Sequence, residues 1–264
     1  MIIDFHNHVF PDKIAEKTMR FLLDEIGGMY VPAHDGTVSG LLKNMDAWGI
    51  DRSVVLPIAT RRSQTKSVNE WAAEINSDRL VSFGSFYPHP DDYKENIDFI
   101  TGLGLKGLKF HAEYQNFDVD DAFMLKIYDY ALGKGLIILH HGGLDEAYPD
   151  SARSTPRMFA RVAEEMKGGV IIAAHLGGYK YWDDVEKYLI GTNIYFDTSM
   201  GFEYFPEDQF LRIVKNHGID KILFATDSPW SNAKTELEHF NGLPLSDIEK
   251  AAILSGNAKR ILYG

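Results

Sequence analysis

The sequence predicts an α/β protein, a single (β/α)8 barrel spanning residues 1–264. Three observations predict it. Short apolar runs recur with longer amphipathic segments between them. Most of the runs are apolar nearly throughout, as strands covered on both faces of a parallel sheet must be. Eight such runs are present in a chain of 264 residues, close to the roughly 250 typical of one barrel.

The runs, in order, are Ile2–His8, Ser53–Ile58, Leu80–Tyr87, Leu105–His111, Leu136–His141, Val170–His175, Asn193–Thr198 and Lys221–Thr226. Helical spacing occupies Asp91–Thr101, Asp120–Leu132, Pro156–Lys167 and Pro206–His217. Pro156 and Pro206 stand where a first helical turn tolerates proline, and Gly133, Gly168 and Gly218 follow last turns. The stretch Gly27–Gly40 is irregular and is expected to be a loop insertion after the first strand, overhanging the carboxyl rim. An open doubly wound sheet is the rival topology, but no glycine-rich nucleotide loop follows the first strand. Gly102-Leu103-Gly104 precedes a strand and lacks the third glycine, so it reads as a turn.

Composition narrows the function. The chain has no cysteine, which removes disulfides, thiolate metal sites and cysteine nucleophiles together. A formal charge of −11 and the lack of a basic stripe argue against nucleic acid as a partner. The start, Met1 to His6, carries no basic region followed by an apolar stretch, and no apolar run approaches the roughly 18–20 residues that span a bilayer. A soluble cytoplasmic protein acting on a small molecule, without membrane contact, is the expectation.

Six of the ten histidines fall at predicted strand ends. These are His6 and His8 on the first strand, His111 on the fourth, His140 and His141 on the fifth and His175 on the sixth; Asp227 closes the eighth. A barrel gathers these ends on one rim, where its catalytic residues stand. His6 and His8, two apart, point to the same side of a strand and suit chelation of a divalent metal. Adding His140 and Asp227 gives three imidazoles and a carboxylate, a shell that leaves a position for water and lowers its pKa from about 15.7 towards 7.

With these residues in view, the chain resembles the amidohydrolase superfamily, in its amidohydrolase-2 branch of metal-dependent barrel hydrolases and decarboxylases. The resemblance is carried by Ile3 to His8, Gly107 to His111, Leu139 to Gly143, Ala174 to Gly178, Phe224 to Pro229 and the tail Gly256 to Leu262. It implies ligation by His6, His8, His140 and Asp227, with His141 the alternative one residue on. It also implies a proton-handling or carbonyl-polarising role for His175. Binuclear members carry a carboxylated lysine at the end of the fourth strand; here His111 stands there and Lys109 lies two residues deeper. One divalent ion is therefore expected, zinc first, with Mn, Fe or Co as alternatives, and a carboxylated Lys109 as the rival reading.

The resulting expectation is hydrolysis of a C–N or C–O bond by a metal-activated water, with Asp227 or His175 moving the proton. Non-oxidative decarboxylation of an aromatic or unsaturated carboxylate is the alternative, and a barrel that binds metal without turnover the third reading. His111 is expected to touch substrate or act as an auxiliary ligand, Arg153 to clamp a substrate carboxylate, and Trp230 to line the pocket with Tyr179 and Trp182. Asp4 is expected either to hold the loop of the first strand or to support a ligand imidazole, and Asp197 either to face the rim or to cap a helix. His34, in the overhanging stretch, reads as a surface residue. The family resemblance suggests a homodimer.

Overall fold

The computed structural model describes residues 1–202 and 204–264. Among them eight strands run parallel to their chain neighbours: β1 (Ile3–Asn7), β2 (Arg52–Val55), β3 (Leu80–Ser82), β4 (Gly107–Phe110), β5 (Ile137–His140), β6 (Ile171–Ala173), β7 (Tyr195–Asp197) and β8 (Ile222–Leu223). The ladders form two arcs, β1-β2-β3 and β4-β5-β6-β7-β8. Backbone hydrogen bonds join them into a ring. Lys109 N donates to Gly84 O at 2.8 Å on one side; Phe5 N donates to Phe224 O and Asp227 N to His6 O, each at 2.9 Å, on the other. A closed barrel leaves no strand edge unpaired.

Side chains alternate between two apolar cores, as the strand period requires. Ile3, Phe5, Val54, Leu56, Phe83, Ile137, Leu139, Ile172, Ala174, Leu223 and Ala225 fill the barrel interior, joined by Ala258 and Leu262 of the last helix, Asn257–Tyr263. Their neighbours Val55, Leu108, Phe110, Ile138, Ile171, Phe196, Ile222 and Phe224 face outwards into the helical layer. The helix Pro156–Glu165 shows how that layer forms: Thr155 caps it by accepting from Met158 N, proline occupies its first turn, and Phe159 and Val162 are buried.

The observed strands are shorter than the apolar runs because the rim residues leave the ladder. His175 (φ 59°) and Asp227 (φ 67°) sit in left-handed backbone, outside the strand geometry their runs imply. Between β1 and β2 stand two helices, Asp12–Glu25 and Val38–Trp48, the second beginning inside the stretch read as irregular. The irregular stretch ends at Thr37, whose hydroxyl accepts from Gly40 N at 3.0 Å and caps the second helix, so Gly40 is helical. Among the described residues no helix is long and apolar enough to cross a membrane.

Candidate metal centre

The site begins with a bulge. Ile3 pairs with Arg52 and Asp4 with Ser53, but Asn7 pairs with Val55, so β1 carries one extra residue. The bulge breaks strict alternation. Phe5 packs inside on Phe83, and His6 next to it also faces inwards, towards Lys109, Asp197 and His175. Asp4 pins the bulge to the segment after β8, accepting from Thr226 Oγ1 at 2.7 Å, Thr226 N at 3.0 Å and His6 N at 3.3 Å. Burial pushes the Asp4 carboxyl up to about 7, against the Thr226 hydrogen bonds. Asp4 thus shapes the β1 turn and does not bond to a ligand ring.

Two imidazoles are held in a definite tautomer. His6 Nδ1 lies 2.9 Å from Asp197 Oδ2 and His8 Nδ1 lies 3.0 Å from Leu56 O. Both acceptors require the proton on Nδ1, which leaves lone pairs on both Nε2 atoms. Those atoms are 3.2 Å apart, and Asp227 Oδ1 is 3.3 Å from one and 3.1 Å from the other. Asp227 Oδ1 is buried without a hydrogen bond. Three electron-pair donors therefore face one another, an arrangement that positive charge reconciles; Lys109 Nζ, 3.2 Å from His6 Nε2, meets one of them and leaves His8 Nε2 and Asp227 Oδ1 opposed. The donor set fits a divalent first-row metal, with His6, His8 and Asp227 as the residues that would hold it. Burial pushes the Asp227 carboxyl up, but His6 and His8 outweigh it and hold the group below the usual carboxylate range. Burial, reinforced by Lys109, drives His6 well below 6.5, so it stays neutral and able to ligate.

A second pair of lone pairs lies beside the first. Ser199 Oγ donates to Asp197 Oδ1 and stands 2.9 Å from His175 Nδ1, which places that ring's proton on Nδ1. His141 Nε2, 3.1 Å from Leu144 O, carries the proton of its own ring. His175 Nε2 and His141 Nδ1 then oppose each other at 3.0 Å. One carboxylate, Asp197, orients both His6 and His175, a role that the sequence left undecided between rim and helix cap. The loops bearing these rings are zipped together, Tyr179 N donating to Gly142 O at 2.8 Å and Leu144 N to Tyr179 O at 3.1 Å. Gly143 (φ 90°) permits this approach, since a β-carbon there would strike the Tyr179 backbone.

His140 is not brought to this site. With Ile137 and Leu139 pointing inwards, alternation turns His140 outwards between Phe110 (ring centroids 5.3 Å), Tyr128 (5.2 Å) and Phe159 (6.0 Å). His141 is the member of the doublet that reaches the interior. Neither nitrogen of His140 has a hydrogen-bond partner, and burial lowers its pKa to about 3. A group whose folded pKa is depressed below about 6.5 withdraws stability as pH falls through that interval, by about 1.4 kcal/mol per unit. His140→Leu is accordingly expected to leave cation stoichiometry unchanged. It should raise the melting temperature, with the gain growing from pH 7 to pH 4, as read by calorimetry and metal analysis across that range.

Arg153 is also absent from the site. Its Nη1 bonds Asp118 Oδ1 at 3.0 Å on the surface, and its carbonyl accepts from Val119 N at 2.9 Å, which fixes it over the 117–121 turn. Trp230 follows Asp227, donating its backbone N–H to Asp227 O at 2.8 Å, and packs against the outer core. Trp182 Nε1 donates to His175 O at 3.1 Å and so buttresses that residue. Tyr179 stands 6.2 Å from the His175 ring.

His111 stacks on His141 at 4.3 Å and 15° and places Nε2 3.0 Å from Asp145 Oδ2 and Nδ1 3.5 Å from Glu113 Oε2. Nε2 is taken up by Asp145, while Nδ1 is buried without a hydrogen-bond partner among the described residues. His111, His141 and Asp145 form a second group of donors close enough for a cation. Glu113 and Asp145 carried no signal in sequence: Glu113 stands in the short helix Ala112–Gln115 beyond β4, and Asp145 in the loop beyond β5.

Lys109, fully buried on the inner face of β4, supplies the cationic wall. Its Nζ is 3.2 Å from His6 Nε2. Burial lowers its pKa to about 8, while Asp227, Asp197 and Asp145 oppose the change. With a cation held by His6, His8 and Asp227, this ammonium would complete a pocket floor suited to an oxyanion.

Comparison with known proteins agrees with this architecture. The solved structure of 5-carboxyvanillate decarboxylase from Sphingomonas paucimobilis superposes with TM-score 0.76 at 18% identity, covering 99% of this chain and 98% of that one. A dihydroxybenzoic acid decarboxylase from Polaromonas sp. JS666, solved with bound manganese and 2-nitroresorcinol, gives 0.71 at 16% identity over 99% and 96%. A putative amidohydrolase from Staphylococcus aureus gives 0.73 at 15% over 99% of each chain. No curated protein matches the chain in sequence. At these identities the superpositions establish the barrel and nothing finer. The model of the family described as Amidohydrolase (Amidohydro_2) matches residues 3–263, nearly end to end, and the chain therefore belongs to that family.

Proposed function

We propose that the protein is a divalent-metal-dependent, non-oxidative decarboxylase of an aromatic carboxylate. The observation that carries this reading is the buried Lys109 ammonium set 3.2 Å from His6 Nε2, in the wall of the three-donor cation seat. Two positive centres side by side suit a carboxylate with a neighbouring oxygen better than a neutral amide. The decarboxylases that share the fold act on acids of that class, and one was solved with manganese.

When bound, the cation supplies a Lewis-acid anchor for substrate oxygens. Lys109 Nζ orients the carboxylate that leaves, and Asp227 and the two Nε2 donors keep the cation in register with it. The C–C bond to the carboxylate breaks, CO2 departs, and the ring carbon takes one proton. His175 Nε2, a lone pair in the resting ring, is the atom assigned to relay it: it takes the proton from solvent and passes it to the ring carbon, burial having lowered the pKa of that ring so that its protonated form is a ready acid, while Asp197 steadies it through Ser199. Zinc or manganese suits the imidazole and carboxylate donors.

The test is CO2 release from hydroxylated benzoates and aromatic dicarboxylates by protein stripped with chelator and reloaded with Zn2+ or Mn2+, run beside an amide and lactone panel. CO2 release that vanishes on stripping and returns on reloading is expected. Turnover of amides or lactones without CO2 release would replace this reading by hydrolysis.

A further inference from the structure

The irregular segment 27–37 is tied to the residues that follow β1 and β8 by two backbone hydrogen bonds. Ala33 N donates to Pro229 O at 2.8 Å, two residues beyond Asp227, and Phe10 N donates to Gly36 O at 2.8 Å, two residues beyond His8. Asn44 Nδ2 adds a third tie, to Ala33 O at 2.7 Å. His34 lies between these ties, next in the chain to Ala33, which is bonded to the segment that follows Asp227. Its Nδ1 accepts from Gly36 N at 3.0 Å, so in the neutral ring the proton must be on Nε2. Burial lowers the pKa of this ring to about 4, Asp35 opposing and His8 adding to the fall, so the ring is neutral near pH 7. Nε2 is enclosed and has no hydrogen-bond partner. A loop that fixes a tautomer and then leaves the N–H without an acceptor is organised for an acceptor that arrives from outside.

We propose that His34 is a substrate-contacting residue, donating its Nε2–H to an oxygen of an oxyanion bound in the mouth of this site. The identity of that ligand as an aromatic carboxylate rests on the decarboxylase reading; the oriented donor does not. Oxygen substituents on the outer side of the substrate are then selected, and substrates lacking one there are bound more weakly.

Two variants separate the donor from the loop. His34→Asn places a carboxamide oxygen near the position of Nδ1, keeps the acceptor for Gly36 N–H and removes the outer donor. His34→Gln restores an N–H near the position of Nε2. The probes are 2-hydroxybenzoate, oxalate and inorganic phosphate, titrated into Mn2+-loaded protein by calorimetry. The Nε2–H resonance of His34 is followed in parallel in 15N-histidine-labelled, Zn2+-loaded protein. Expected are about tenfold weaker binding in His34→Asn, recovery to within about threefold in His34→Gln, equal Mn2+ content in all three proteins, and a shift of the Nε2–H signal on saturation. Binding of all three probes by His34→Asn as by wild type, or an Nε2–H signal that none of them moves, overturns the proposal. A response to oxalate or phosphate with none to 2-hydroxybenzoate keeps the donor and refutes the aromatic substrate.

Discussion

Asp227→Asn is expected to remove the bound cation and CO2 release together while leaving the barrel intact. The substitution keeps the shape of the side chain and removes the only charge among the three donors. Asparagine is also among the residues that best tolerate the left-handed backbone found there (φ 67°), whereas alanine would add strain to the loss of charge. The wild-type carboxylate is held below the usual carboxylate range, so its negative charge is fully available to a cation at pH 7. Without it, only the two imidazoles of His6 and His8 remain as donors. Cation affinity should fall at least 100-fold and turnover by about 10³ or more, in line with the several kcal/mol that such an ion contributes. Metal content by mass spectrometry and CO2 release at fixed Mn2+ measure the two effects, with circular dichroism as the control for folding. A variant that holds the metal stoichiometrically at micromolar Mn2+ would show that the cation sits elsewhere, and the His111, His141 and Asp145 group would become its seat.

The barrel and most of its rim were legible because the information lay in spacing along the chain. Eight apolar runs report eight strands, and a ring of strands must gather His6, His8, His141, His175 and Asp227 at one end. What could not be read was which side of a strand each residue faces. In a parallel barrel both faces are apolar, so Ile137 to Leu139 give no hint of parity, and His140 and His141 cannot be told apart without it. Strand β1 defeats parity altogether, since the bulge sets Phe5 and His6 on the same side. Arg153 failed for another reason. Its place in the loop after the fifth strand was right, but Asp118, which captures it, is brought there by a turn that sequence spacing does not reveal. Asp197 is the converse case: an aspartate at a strand end reads equally as a cap, and only contact with His6 and Ser199 distinguishes the two.

Lys109→Met should produce the second largest effect, and of a different kind. Methionine retains most of the length and apolar body of the lysine, so the fully buried stem is replaced at little cost in packing. Removing a desolvated ammonium is expected to leave the fold as stable as before or more so. Cation binding should strengthen, because Lys109 lies 3.2 Å from His6 Nε2 and repels a metal held there. Substrate capture should suffer. An ammonium–carboxylate hydrogen bond lost from a buried site costs about 1.5–3 kcal/mol, or roughly 10- to 150-fold in affinity. The predicted signature is therefore a raised KM for the aromatic acid with unchanged or tighter Mn2+ binding, opposite in its metal arm to Asp227→Asn. Steady-state kinetics and Mn2+ titration of the same preparation read both arms. An unchanged KM would mean that the substrate carboxylate does not rest on β4, and would remove the principal argument for decarboxylation over hydrolysis.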